Sequence, residues 1–180
     1  MLTQLRRDHA NMARLLRVLS MKQKKLARGE RPDFRLIREV VDYILDYMSE
    51  FTSPLESLCS EHIKGLNAST EALASDMADD YKRMYRHLRR LSDDLDMILM
   101  DAVMPMDKFS DDLKAYLQEH RNYLSRERHE LFPLIIEQLD EADYERLRDA
   151  LPENAHRYLE KLQQDYPELY HEFKEAPEPA

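Results

Sequence analysis

The sequence predicts an all-α protein, an antiparallel up-down-up-down four-helix bundle followed by short C-terminal helices. The chain of 180 residues holds only 2 Gly, too few for the many tight turns of an all-β protein. Leu, Met, Arg, Lys and Glu, which favour helix, are abundant. Four long segments repeat apolar residues at alternating steps of three and four, the spacing of one helix face. Short links between these segments favour antiparallel neighbours.

Each bundle helix is predicted from one line of mostly apolar residues, its seam. The four seams run, in chain order, over residues 2–26, 41–62, 77–98 and 113–134. The fourth seam is expected to pass from Glu127 through Glu130 to Leu134. The second seam continues through Pro54, although a proline usually ends a helix because it has no backbone donor. The second helix is therefore predicted to run through this proline.

Turn and capping residues separate the segments. The stretch GERPD, 29–33, supplies a glycine for a helix end and Asp33 as an N-cap. The other two breaks are KGLNAST, 64–70, and AVMPMDK, 102–108.

Beyond Pro133 the helical pattern weakens, and Pro152 and Pro167 divide the C-terminal part of the chain. Short helices are expected at 140–150, 152–165 and 167–174, ahead of a frayed EAPEPA tail. The predicted organisation is a bundle domain over residues 1–138 and a helical extension over residues 139–180.

Composition excludes several classes of protein. The net charge of -9 gives no basis for binding nucleic acid or an anionic membrane surface. A single Cys forbids an intramolecular disulfide. The N-terminus has no apolar stretch of signal-peptide length, and no run approaches the ~20 apolar residues of a membrane span. A soluble cytoplasmic protein is expected.

Polar residues interrupt the seams at one level. In an antiparallel bundle the starts of helices one and three lie beside the ends of helices two and four. Counting turns at ~1.5 Å per residue places the interruptions of all four helices in one layer. We call this the polar layer, and its residues are His9, Thr52, Glu56, Tyr81, Tyr123 and Glu127.

Two chemical explanations fit the polar layer. A buried carboxylate is costly unless it is paired, protonated or bound to a metal. His nitrogen and Glu oxygen are ordinary ligands of iron, zinc or manganese, and a Tyr phenolate also binds iron. Alternatively, Tyr hydroxyls donate to the carboxylates, and His9 carries the positive charge. The residues alone leave both explanations open.

Several motifs resemble the hemerythrin-like (HHE cation-binding) family. Asp8-His9 opens helix one, and DDY, 79–81, lies where helix three carries Glu-His in the family. TSPLE, 52–56, aligns with the family's His-His-Pro-x-Glu. YLSRERHELFP, 123–133, aligns with His-x-x-x-Glu and a Leu-Phe-Pro-like ending, and LDEADY, 139–144, resembles the segment that comes after the bundle. The resemblance covers about residues 1–145.

This resemblance implies a four-helix bundle around a non-haem di-iron centre, held by His and Glu from all four helices. Family members bind dioxygen, respond to nitric oxide or redox stress, or handle iron. His9, Glu56 and Glu127 match ligand positions.

His positions of the family are lost on three helices. Thr52 and Ser53 replace the His pair of helix two, and Tyr81 and Tyr123 stand where helices three and four offer His.

Two outcomes are consistent with this pattern. The site is either rebuilt around one or two iron ions or left without metal, and the candidate ligands are His9, Glu56, Tyr81, Tyr123 and Glu127. The first outcome implies a degenerate or rebuilt site that senses or binds iron, oxygen or nitric oxide. The second implies a metal-free bundle that acts as a regulatory or interaction module, docking a protein partner or a second copy.

Other candidates have weaker claims. His120 is either a replacement ligand or a partly buried histidine, and Cys59 is either a packing thiol or a redox sensor. His62 lies near a helix end, and His129 is expected to point away from the seam.

Enzyme motifs give little support to catalysis. Glu153…His156 and Glu168…His171 match the Glu-x-x-His spacing of ferritin-like di-iron enzymes but lie outside the core helices. No nucleophile elbow or Gly-rich phosphate loop is present, so a non-enzymatic role is favoured.

Overall fold

A computed structural model describes residues 2–63, 65–150 and 155–175. The described residues form helices in the following order: α1 (Leu2–Ala27), α2 (Phe34–Tyr47), a first π-bulge (Met48–Thr52), α3 (Ser53–Ile63), α4 (Ala68–Leu99), α5 (Met106–Arg126), a second π-bulge (Glu127–Leu131), α6 (Phe132–Gln138), α7 (Glu141–Ala150), α8 (Ala155–Asp165) and α9 (Pro167–Glu175). Strands are absent from these residues, which confirms the all-α prediction.

Four core helices form the bundle: α1, residues 34–63, α4 and residues 106–138. Around the bundle, α1 packs against α2 and α5, while α4 packs against α2, α3 and α5. Each core helix therefore contacts the two helices adjacent to it, which fits the predicted four-helix bundle. Leu88, Leu91 and Leu95 of the third seam and Leu16 and Leu19 of the first are fully buried in the core.

The predicted breaks occur where the capping residues indicate. The Asp33 Oδ1 accepts hydrogen bonds from the backbone N–H groups of Arg35 and Leu36, at 3.0 and 3.1 Å. The side chain of Asn67 caps α4 in the same way, with its Oδ1 2.9 Å from Thr70 N. Gly29 ends α1 with φ 78°, a conformation that glycine adopts without steric cost. These caps satisfy backbone donors that a helix start leaves free.

Two π-bulges interrupt the second and fourth core helices, and each precedes a proline. The first bulge is followed by Ser53-Pro54 and the second by Phe132-Pro133. A proline cannot donate the usual bond to the residue four positions earlier, and a local π turn is one way to absorb that disruption. The second core helix therefore continues through Pro54, as predicted, but with a changed turn.

The second π-bulge corrects the predicted course of the fourth seam. Glu130 was expected in the seam, but it is exposed, whereas Leu131 and Phe132 are buried. The wider turn changes the angular position of every residue after it. The seam consequently passes from Glu127 to Leu131.

The C-terminal helices lie against the bundle. Helix α7 contacts α3, α8 contacts α2, and α9 contacts α1. Leu159, Leu162 and Leu169 are buried in these contacts. The domain boundary at 138/139 stays a prediction, while Pro152, Glu153 and residues 176–180 of the tail lie outside the described residues. Among the described helices, none has the length and apolar character needed to cross a bilayer.

Candidate functional site

A small cavity lies among three core helices at the level of the polar layer. Its volume is about 20 Å³, room for about one water molecule. Polar residues from α1, both π-bulges and α5 line it: Asp8, His9, Thr52, His120, Tyr123 and Glu127. Glu56 and Tyr81 do not line the cavity, although charge on Glu56 affects Glu127 and Tyr123. The polar layer thus divides into a cavity group and two flanking residues.

His9 is held by a backbone carbonyl of the fourth core helix. Its Nε2 lies 2.8 Å from the Leu124 oxygen, in the turn that leads into the second π-bulge. A carbonyl only accepts, so Nε2 carries the hydrogen of this bond. Burial lowers the pKa of His9, and the neighbouring Arg128 and His129 lower it further, although the bond to Leu124 opposes them. Nε2 therefore cannot bind a metal in this arrangement, and the lone pair of the neutral ring lies on Nδ1.

Tyr81 is held in a similar way by the second core helix. Its hydroxyl donates to the Met48 carbonyl at 2.9 Å, and Met48 is the first residue of the first π-bulge. Burial raises the pKa of Tyr81 to about 12, with Tyr85 adding to the effect. The hydroxyl therefore stays protonated and serves as a donor across the helix interface.

Glu56 and Glu127 form an acidic pair beside Tyr123. Glu127 is only 7% exposed, and burial, aided by the charge of Glu56, raises its pKa to about 8. Burial also raises the pKa of the half-buried Glu56 to about 7, with Lys82 opposing and Asp79 reinforcing the shift. Burial, followed by the charges of Glu127 and Glu56, raises the pKa of Tyr123. At pH 7 Glu127 and Tyr123 are therefore mostly protonated, whereas Glu56 is about half protonated.

His120 lines the cavity and is fixed by Tyr116 one turn earlier. Its Nδ1 lies 2.7 Å from the Tyr116 hydroxyl, and its side chain is buried more deeply than predicted. Burial raises the pKa of Tyr116, so the hydroxyl keeps its proton and shares with Nδ1 a hydrogen bond whose direction follows the imidazole tautomer. Burial also lowers the pKa of His120 to about 3. His120 is therefore neutral. The i,i+4 spacing of Tyr116 and His120 was the available sequence signal for this pair.

The remaining candidates are engaged elsewhere. Burial raises the pKa of Cys59 to about 12, as in an unreactive packing thiol. His62 bonds the Leu58 carbonyl and lies 2.7 Å from Asp143 of α7. His129 is exposed, as predicted.

The sequence predicts no separate role for Asp8, but the structure places this residue at the cavity. It is buried, lines the cavity, and reinforces the effect of burial in raising the pKa of Tyr43 and Tyr47.

The donors present do not fit the family's di-iron centre. The His9 Nε2 and the Tyr81 hydroxyl are bound to carbonyls, and Thr52 is a poor ligand because its hydroxyl stays protonated. Two metal ions about 3.5–4 Å apart with a bridging oxygen exceed a cavity with room for one water. In the part of the chain that the structure describes, no three His, Cys, Asp or Glu side chains are grouped to hold a metal ion.

Comparison with known families agrees with the motifs. The family model for the hemerythrin HHE cation binding domain matches residues 1–135, which span α1 to the middle of α6. No curated protein matches the chain significantly, and neither does any solved structure.

Proposed function

The chain belongs to the hemerythrin family of HHE cation-binding domains, and from this premise we propose that it is a metal-free, non-enzymatic regulatory or interaction module. One observation carries the proposal. Side chains at two family ligand positions, His9 and Tyr81, are bound to backbone carbonyls of the neighbouring core helices.

These contacts replace what a metal centre would do for the bundle. A metal held by several helices ties them together and contributes to folding. Here the His9 bond joins α1 to the fourth core helix, and the Tyr81 bond joins α4 to the second. A protein–protein hydrogen bond of this kind contributes about 0.5–1.5 kcal/mol. Each core helix is therefore joined to one neighbouring helix at the polar layer by the chain itself.

The acidic pair supports the same interpretation. An ionised Glu56–Glu127 pair would need a cation to offset its repulsion and desolvation. Burial instead raises the pKa of both carboxyl groups to about 7 and about 8. Near neutral pH Glu127 is therefore mostly protonated and Glu56 about half protonated, so protons offset most of the repulsion within the pair.

Elemental analysis tests the proposal directly. The protein is purified from an iron-rich culture without chelator and analysed for iron, manganese and zinc, and its visible spectrum is recorded. We expect far less than one metal ion per chain, no phenolate-to-iron band, and the same Tm with and without chelator. Near-stoichiometric metal that is lost from Glu127→Gln but kept in the exposed control Glu130→Gln would overturn the proposal.

The interaction role has its own test. Size-exclusion chromatography with light scattering and co-purification from native cells report a second copy or a protein partner. A defined dimer or a reproducible partner supports a docking module. A strict monomer that recovers no partner and carries a bound metal counts against it.

A second candidate function rests on the acidic pair itself. The charge of Glu56 helps to raise the pKa of Glu127, and both carboxylates help to raise the pKa of Tyr123, so a single cation would relieve this repulsion. If that cation is iron, dioxygen or nitric oxide would be its ligand.

Anaerobic titration with ferrous iron, followed by oxidation, separates this candidate from the metal-free module. A rebuilt site predicts a phenolate band that Tyr123→Phe abolishes and Tyr81→Phe retains. Failure of the wild-type protein to develop any band would reject the rebuilt site.

A further inference from the structure

An open cleft with basic walls lies outside the polar layer, between α1 and the region around the second π-bulge. Its volume is about 610 Å³, within the range of small-molecule sites. Arg6 of α1 faces Arg128 and His129 of the second π-bulge across it, and Phe132, Pro133 and Ile136 supply apolar surface. We call these six residues the basic cleft.

The charge of the basic cleft is unusual for this chain. The protein carries a net charge of -9, yet the described charged and titratable side chains that line the cleft are all Arg or His. Arg6, Arg128 and His129 form no ion pair or hydrogen bond with any described residue. By contrast Arg126, two positions before Arg128, lies 3.0 Å from Asp80 and 3.6 Å from Glu130. The cleft thus concentrates positive charge that no described residue neutralises through an ion pair.

The second π-bulge explains how this surface arises. It directs Glu127 and Leu131 inward, whereas Arg128 and His129 are exposed. Unpaired like charges near one another are unfavourable, and a bound anion relieves them. Two guanidinium groups suit a carboxylate or phosphate because each offers paired donors in a planar fork.

We propose that the basic cleft binds a small organic anion, a phosphate or carboxylate group attached to an apolar body. Arg6 and Arg128 bind the anionic group, and His129 contributes a further donor. The apolar body lies against Phe132, Pro133 and Ile136, of which Ile136 is 48% exposed. Burial of that surface adds affinity in proportion to the apolar area covered.

The cleft also touches the polar layer. His9 lines both the basic cleft and the interior cavity, so a ligand in the cleft contacts a side chain bound to the fourth core helix. Binding is therefore expected to perturb His9 and Leu124 as well as the cleft. The site goes beyond the proposed function, because it does not depend on whether the polar layer holds a metal.

Octyl phosphate is a suitable probe, with binding measured by titration calorimetry and by backbone amide shifts. We expect saturable binding that shifts the amides of Arg6, Arg128 and His129, and a smaller shift at Leu124. Inorganic phosphate should bind more weakly because it lacks the apolar body, and octanol because it lacks the charge.

Matched double variants separate the cleft from general charge. Arg6→Gln with Arg128→Gln should weaken octyl phosphate binding at least about tenfold. Arg7→Gln with Arg121→Gln removes the same charge from exposed arginines outside the cleft and should bind as the wild type does. Circular dichroism confirms that both variants fold.

Three results would overturn the proposal. Equal loss of affinity in both double variants would show a general charge effect. Octanol binding as tightly as octyl phosphate would show that the cleft does not recognise the anionic group. Binding only to phosphatidylcholine vesicles containing phosphatidylglycerol, with none to free octyl phosphate, would assign the surface to a membrane instead of a small molecule.

Discussion

The two halves of this bundle bury their residues by different means. In the apolar half, Leu19, Ile37, Leu88 and Leu113 are fully buried among other apolar side chains. Its polar contacts include a neutral pair, Gln23 Nε2 donating to Ser110 Oγ at 3.1 Å. In the polar layer the same four helices surround carboxyl, imidazole and phenol groups. The difference shows that the second half depends on proton retention and directed hydrogen bonds, since packing alone cannot offset the burial of charge.

The largest effect is expected from truncation in the apolar half. Leu88→Ala removes a fully buried side chain and should lower the free energy of unfolding by about 2–5 kcal/mol. Urea denaturation measures the loss. The control Leu99→Ala alters a side chain that is 37% exposed at the end of α4 and should cost far less. Equal losses at the two positions would contradict the claim that burial among apolar side chains stabilises this half.

The polar layer should give a pH dependence that the apolar half lacks. Because the pKa of Glu127 is raised from 4.5 to about 8, the folded protein keeps a proton that the unfolded chain loses between these values. This contribution to stability is complete below about pH 4.5 and is lost as pH rises through 8. Between about pH 5 and 8 the wild type should lose roughly 3 kcal/mol more than Glu127→Gln. Urea denaturation measures the stability of both proteins across this pH range. Equal losses of stability in the wild type and Glu127→Gln would contradict the prediction.

His120 should give the opposite dependence in acid. Burial lowers its pKa from 6.5 to about 3, so the unfolded chain binds a proton that the folded protein refuses. The stabilising contribution is present above 6.5 and is lost as pH falls toward 3. Relative to His120→Gln, the wild type should lose about 2 kcal/mol between about pH 6.5 and 5. If His120→Gln loses as much stability in acid as the wild type does, groups other than His120 cause the acid dependence.

The smallest effect is expected from a single hydrogen bond in the polar layer. Tyr81→Phe removes the donor to the Met48 carbonyl and should cost about 0.5–1.5 kcal/mol. Tyr85 stacks on Tyr81 with ring centroids 6.0 Å apart and makes no hydrogen bond through its hydroxyl among the described residues. Tyr85→Phe should therefore be nearly neutral in thermal unfolding. A larger cost at Tyr85 would show that the Tyr85 hydroxyl, and not the bond from Tyr81 to Met48, stabilises this side of the layer.

The fold could be predicted because periodic burial and capping are local properties of sequence. The third seam is buried at Met77, Met84, Leu88, Leu91, Leu95 and Ile98, as its spacing indicates. Asp33 caps α2 through bonds to residues two and three positions away. Such features need no knowledge of the partner helix.

The details of the site depend on tertiary contacts that spacing does not encode. His9 bonds a carbonyl 115 residues away, and Tyr81 one 33 residues away, and backbone acceptors leave no side-chain signal. The sequence predicted that the second helix continues through Pro54, but it did not predict the π-bulges that precede Pro54 and Pro133. The second bulge shifts Glu130 out of the seam and places Arg128 and His129 at the basic cleft. A helical wheel with a regular period would not show either change.

The ionisation of Glu127 distinguishes a metal-free polar layer from a metal site. Burial without a metal raises the pKa of this carboxyl, whereas a bound cation lowers it. Carbon-13 NMR of the side-chain carboxyl, assigned by comparison with Glu127→Gln, follows this group through a pH titration. We expect a pKa raised to about 8 that falls in part in Glu56→Gln, because burial is the larger cause of the shift and the charge of Glu56 the smaller. A Glu127 carboxylate that is already ionised at about pH 5, and unaffected by Glu56→Gln, would contradict the metal-free polar layer.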